Sequence, residues 1–305
     1  MKKIDIKVSQ IIDFLNEEII RVDGFGYNEY IDNISDPESV NSKSLDWVNS
    51  TKTNKQEIVE LSPAKVFVVD SEVKYSESLS SRKKTLIVVQ NPRFVISKIA
   101  SHFFIDTYKS GIHPSAIVDN EAIVDPTAYI GPGCIVGKAL IGANTVLVAN
   151  VTIYNNVKIG DRCLIQAGTV IGTDGLGCSR DENGVLSKFP HLGGVVMGND
   201  IEVGANSQIA RGSFSDTIIE DGCKLNGLCF IAHNCHLEKN VWITGNTMLC
   251  GSVRVGKNST IFSSVTIRDQ RKIGESVTIG MGSVVTKDVP AYEIWVGNPA
   301  KKMNK

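Results

Sequence analysis

The stretch FIAHNCHLEKN, Phe230 to Asn240, places His233, Cys235 and His236 within a few residues of one another. Imidazole nitrogens and thiolates are common zinc ligands. A histidine beside a cysteine can also be a base beside its nucleophile. A lone histidine can take up and return one proton near neutrality. Which chemistry applies depends on where each side chain points, and so on the elements that carry them.

Those elements repeat every six residues. Stepping by six from Ile219 meets Leu225, Ile231, Leu237, Ile243, Leu249, Val255, Ile261, Ile267, Ile273, Ile279 and Val285, all aliphatic. Met197, Val203 and Ile209 keep the step, as do Ile141, Leu147, Ile153, Ile159, Ile165 and Ile171, and before them Ile112, Val118, Val124, Ile130 and Val136. This period belongs neither to an α-helix nor to a simple alternating strand. Glycine often follows the aliphatic residue, as in IGANT, IGDRC and VGANS, which fits tight turns after short strands. Such hexads predict a parallel β-helix in which three hexads make one coil, so residues eighteen apart stack at about 4.8 Å. Two breaks stand out. The segment GTDGLGCSRDENGVLSKFPHLGGVV after Ile171 reads as a protruding loop over 172–195, and four extra residues fall near RGSF, between Ile209 and Ile219.

In this register Ile231 points inward. The position four after each aliphatic residue is small, and Cys134, Cys163, Cys223, Cys229 and Cys235 occupy it. They read as small buried hydrophobes, without disulfides. Cys235 then points inward while His233 points outward, so no zinc site is expected. A three-histidine metal site is not expected either, because His102, His113 and His191 have no hexad relation to His233. His236 precedes inward Leu237 and reads as a surface histidine. Gly251, eighteen residues after His233, should lie beside it on the next coil, either as a turn glycine or as a close backbone approach.

Before Gly111 there is no hexad register. A helix is expected over Ser9–Ile20 with Ser9 as its cap, strands at AKVFVVD and TLIVVQ, and a helix at NPRFVISKIASHFF with Asn91 as cap. The chain therefore divides into a small α/β domain (1–110), a solenoid (111–289) and a C-terminal cap (290–305). The 305 residues carry a net charge of −1, which gives no global reason to expect nucleic acid. The start, MKKIDIKVSQ, lacks the apolar core of a signal peptide, and no apolar run is long enough to span a membrane. Seven cysteines, an odd number, fit reduced thiols and a cytoplasmic location.

The hexads resemble those of the hexapeptide-repeat acyltransferases, which implies a left-handed β-helix and a homotrimer with active sites between subunits. SLDWVNSTK, AKVFVV and NPRFVISKIASHFF, with GTDGLG, NDIEVGANSQIARGSFSDTIIEDGCKLN and IAHNC, resemble the UDP-3-O-acyl-glucosamine N-acyltransferases of lipid A synthesis. That resemblance implies His233 as general base and Gly251 N–H as donor to the thioester oxygen. It implies Trp47, otherwise a core tryptophan, as the ring that stacks on uracil. Ser50 stands where the family usually has asparagine, Ala210 and Asn226 replace acidic residues, and Asn226 and Asn234 are expected to contact the sugar. The closing IGMGSVVTKDVPAYEIWVGNPAKKMNK resembles acetyltransferases that use coenzyme A. This implies Gly297, Asn298 and Lys301 beside the CoA nucleotide, or else a solvated cap. Arg271, Lys272, Lys287, Lys301, Lys302 and Lys305 outnumber the acids there. The combined expectation is transfer of an acetyl or short hydroxyacyl group from acyl-CoA to a dTDP- or UDP-linked amino-deoxysugar for surface glycans, with no metal or redox cofactor. Alternatives are the lipid A enzyme using acyl carrier protein, and a non-catalytic scaffold.

Overall fold

The computed structural model describes residues 5–35, 37–105 and 107–303. Residues 1–4, part of the start read as lacking a signal peptide, and Lys305, counted among the C-terminal cations, lie outside them. The chain forms two units, Met1–Thr107 and Tyr108–Lys305.

In the second unit three parallel sheets of 11, 9 and 8 strands wind around one apolar core. Ile231 pairs with Leu249 and Leu249 with Ile267, so successive coils are eighteen residues apart. The loop stretches one pairing to Ile159 with Met197, and the four extra residues stretch the next to Met197 with Ile219. A third irregularity escaped the hexad count. Val136 to Ile141 is a step of five, absorbed at Gly137–Ala139, so Ile130 pairs with Leu147 rather than with its eighteenth neighbour. The first-coil residue Ile112 remains half exposed. At the other end Ile294–Val296 extends a sheet and Lys301–Lys302 turns back antiparallel against it, so the segment expected as a separate cap continues the solenoid as far as 303.

The glycines after the aliphatic positions do not serve the turn in the way expected. The left-handed residue comes two positions later, at Asn144, Asn150, Asn156, Asn206, Asn240, Asn246 and Asn258, each with positive φ. Asparagine tolerates that conformation better than most residues. The glycines are needed because the next coil passes too close: a Cβ on Gly256 would stand 2.6 Å from the Glu275 nitrogen.

The small positions are buried as expected, and the structure adds a reason for their chemistry. Thr145 Oγ1 donates to Gly160 O at 2.7 Å, Ser259 Oγ to Gly274 O at 2.8 Å, and Cys235 Sγ to Cys250 O at 3.2 Å. Each donor ties its corner to a carbonyl fifteen residues on, so serine, threonine and cysteine interchange at this slot. Burial pushes the thiol of Cys223 up to about 11 and that of Cys235 up to about 12.

In the first unit, Leu45–Trp47, Val66–Val69 and Thr85–Val89 lie parallel, with Ile19–Asp23 antiparallel on the edge. The helix expected over Ser9–Ile20 runs only from Val8 to Leu15, so Ser9 lies inside it. Asn16 turns the chain with φ 37°, and Ile19 begins the edge strand, where pairing to Val89 overrides helical spacing. Asn91 caps Pro92–Ile99 as expected, its side chain accepting from Phe94 N–H. Lys55–Leu61 ends on the buried Lys84 ammonium, which donates to Val59 O and Ser62 O, both at 2.6 Å.

Two measurements check this packing. At neutral pH a thiol reagent should label exposed Cys178 and half-buried Cys250, and reach Cys223 and Cys235 only after unfolding. The raised thiol pKa values keep protons on the folded state while unfolded thiols ionise. Stability should therefore be intact below about pH 9 and fall as pH rises from there towards 12. Gly256→Ala should lower the urea midpoint, with a cost of about 1–3 kcal/mol as overpacking against the next coil.

Candidate functional site

His233 stands at a corner of the solenoid because inward Ile231 and buried Ala232 precede it and the left-handed Asn234 follows. Its carbonyl accepts from Ser252 N–H on the next coil at 2.9 Å. Its Nδ1 lies 3.0 Å from Asn234 Oδ1. That oxygen also accepts from Ser213 N–H at 3.1 Å, while Asn234 Nδ2 donates to Ser215 O at 3.0 Å and Ser215 Oγ at 2.9 Å. The backbone partners fix which way the amide faces. Oδ1 therefore needs a donor from His233, so Nδ1 carries the proton and Nε2 keeps a free lone pair. Asn234, expected on the sugar, is instead committed to orienting the histidine. The four residues inserted near RGSF supply the groups that hold it.

The free edge of the ring faces Gly251, where a Cβ would lie 2.6 Å from both Cε1 and Nε2. Gly251 does not have the positive φ that a turn would require. The imidazole, not the turn, excludes a side chain there. The Gly251 N–H has no acceptor among the described residues. A base lone pair and a free backbone donor thus share one corner, suited to proton removal beside a developing oxyanion.

Sequence reasoning missed His191. The loop leaves the wall after Val170–Thr173, forms a hairpin of Cys178–Arg180 with Leu186–Lys188, and rejoins at Val195–Met197. On its return it sets the His191 ring edge-on to His233, with centroids 5.3 Å apart. No hexad relation could have revealed this, because a loop outside the period carries the residue. Among the described residues no group of three or more histidine, cysteine, aspartate or glutamate side chains is placed to hold a metal ion. Cys235 points into the core, as expected, and His236 sits on the outer wall 2.8 Å from Glu220 Oε1.

The remaining candidates fall on other elements. Asn226 lines a separate cavity of about 430 Å³ with Lys224, Trp242 and Glu202, and its Oδ1 accepts from Gly227 N–H at 2.7 Å. Gly297, with φ 97°, and Asn298 form the turn into the last strand, where Lys301 is exposed. In the first unit Trp47 is half-buried and lines a cavity of about 860 Å³ with Asp46, Asn49, Lys52 and Ile58. Ser50 does not line it; nearby, Asp70 pairs with buried Lys55 at 2.7 Å.

Residues 138–173 match the bacterial transferase hexapeptide (six repeats) family. Over 132 residues the chain is 39% identical to a UDP-3-O-acylglucosamine N-acyltransferase of a Janthinobacterium species, covering 43% of this chain and 37% of that one. Over 147 residues it is 37% identical to the enzyme of the same name from a Caulobacter species, covering 48% and 43%. The chain thus spans less than half the length of these relatives. A solved UDP-N-acetylglucosamine O-acyltransferase from Moraxella catarrhalis matches with TM-score 0.59 and 29% identity, covering 63% of this chain and 74% of that one. With its hexads and its three-sheet winding, the second unit is a left-handed β-helix that carries a hexapeptide-transferase match over 138–173 and is similar in part to the UDP-3-O-acylglucosamine N-acyltransferases.

Proposed function

We propose that the chain is an N-acyltransferase that moves an acyl group from a thioester to the amine of a nucleotide-linked amino sugar. The observation that carries this reading is the His233 corner, where an oriented Nε2 lone pair lies beside Gly251, whose N–H is free among the described residues. In the reaction, the amine nitrogen attacks the thioester carbon and its proton passes to His233 Nε2. Gly251 N–H donates to the tetrahedral oxyanion, a role worth about 3 kcal/mol. The C–S bond then breaks, and the imidazolium returns the proton to the departing thiolate. No covalent acyl-enzyme is required.

The names of the relatives favour UDP-3-O-acylglucosamine as acceptor over the dTDP- or UDP-linked amino-deoxysugar expected from the sequence. The substitutions at Ala210 and Asn226 keep the second acceptor in the test. For the donor, the exposed Gly297–Lys301 turn supports a CoA thioester, and acyl carrier protein is the alternative. The cavity at Trp47 supports nucleotide binding by the first unit, with the indole stacked on the base. Assembly as a homotrimer belongs to the same proposal, supported by exposed Ile117, Ile123 and Ile135 on the outer walls.

Mass spectrometry of mixtures of protein, acyl-CoA or acyl carrier protein, and UDP- or dTDP-amino sugars tests the reading. An acylated sugar is expected, and no product from any pair would sink it. His233→Ala should lower turnover by about 10²–10⁴-fold in a folded protein. Asn234→Leu removes the acceptor that fixes the tautomer. It should lower kcat by about tenfold, the equivalent of one hydrogen bond, with the acceptor KM little changed.

A further inference from the structure

His191 takes no part in the reaction just described, yet it lies against the base. It is 6% exposed, and its Nδ1 lies 3.1 Å from Phe189 O. A carbonyl can only accept, so Nδ1 carries the proton and Nε2 holds a lone pair. That Nε2 is buried without a hydrogen-bond partner among the described residues. Buried polar atoms are normally paired, and an unpaired one costs stability. An acceptor left unpaired by the protein beside a catalytic corner calls for a donor from outside it, an ordered water or a group of the substrate.

Gly175 sets where that acceptor lies. It lies in the irregular segment 174–177, where a Cβ would stand 2.6 Å from His191 Nε2 and 3.1 Å from His233 Cδ2. The same missing side chain makes way for both rings, so His191 Nε2 and His233 meet at Gly175. On the neighbouring Cε1–Nε2 edge of His233, Gly251 comes equally close. Two glycines thus let the backbone close around the base, and on the Gly175 side the neighbouring group is a lone pair. The reacting end of a thioester carries only acceptors, at oxygen and sulfur. The amino sugar brings N–H and O–H donors.

We propose that His191 is a specificity-determining residue whose Nε2 accepts a hydrogen bond from an N–H or O–H of the acceptor sugar, next to the amine that His233 deprotonates. This rests on the acyltransferase reading and names the group that recognises its acceptor side. The loop then holds a substrate contact that the periodic wall could not supply.

The test combines nitrogen NMR of ¹⁵N-histidine-labelled protein with kinetics of His191→Phe and His191→Gln. In the free protein His191 should be the Nδ1–H tautomer. Its Nε2 resonance should move on addition of UDP-glucosamine and stay in place with CoA alone. His191→Phe keeps a ring without a lone pair and should raise the acceptor KM by about tenfold while leaving the thioester KM unchanged. His191→Gln restores an acceptor oxygen and should recover most of that loss. If His191→Phe fails to fold, the wild-type resonance alone decides. An acceptor that is acylated while His191 stays unmoved and His191→Phe keeps its KM removes this proposal and leaves the acyltransferase standing. A protein that neither binds nor acylates any nucleotide-linked amino sugar removes both.

Discussion

Each coil of the solenoid is bonded to the next by backbone N–H···O=C bonds between residues one coil apart, as from Ala232 to Leu249 and from Cys250 to Ile267. This ladder is the constraint from which the rest follows. It fixes the spacing of the coils, so residues whose Cβ would meet the neighbouring backbone become glycine. It fixes the corners, so asparagine collects at the left-handed position. It also leaves a narrow inward slot that a hydroxyl or thiol fills while donating to the carbonyl of the next coil. Added length must therefore be thrown outward between strands, and the one shortening falls between strands too, at Gly137–Ala139.

The two largest such changes serve one place. The long loop returns with His191 beside His233, and the four-residue insertion presents Ser213 and Ser215 to Asn234. The regular wall supplies His233 and Gly251 at eighteen-residue stacking, and the irregular pieces supply everything that orients or borders them. The histidine's tautomer is thereby decided at a distance: backbone groups hold the asparagine amide, the amide holds Nδ1, and Nε2 is left for chemistry. A similar economy appears in the first unit. Buried Lys84 closes the end of the Lys55–Leu61 helix, which lines the cavity at Trp47 with Ile58 and Leu61.

The sequence by itself determined the solenoid, because a strict period of aliphatic residues admits one solution once a core must be filled from three walls. It also determined the inward cysteines, the strands Val66–Val69 and Thr85–Val89, the capped helix after Asn91, and the stacking of Gly251 on His233. What it could not contain were relations that period does not express. A helical pattern through Ile19 lost to strand pairing with Val89, a partner seventy residues away whose hydrogen bonds are invisible locally. The role of Asn234 changed from sugar contact to positioning because its amide meets Ser213 and Ser215, which an insertion places. His191 reached the site only through a loop, and loops carry no register from which a position can be computed. Repetition writes geometry into sequence; contacts between segments outside the repetition are decided when the chain closes on itself.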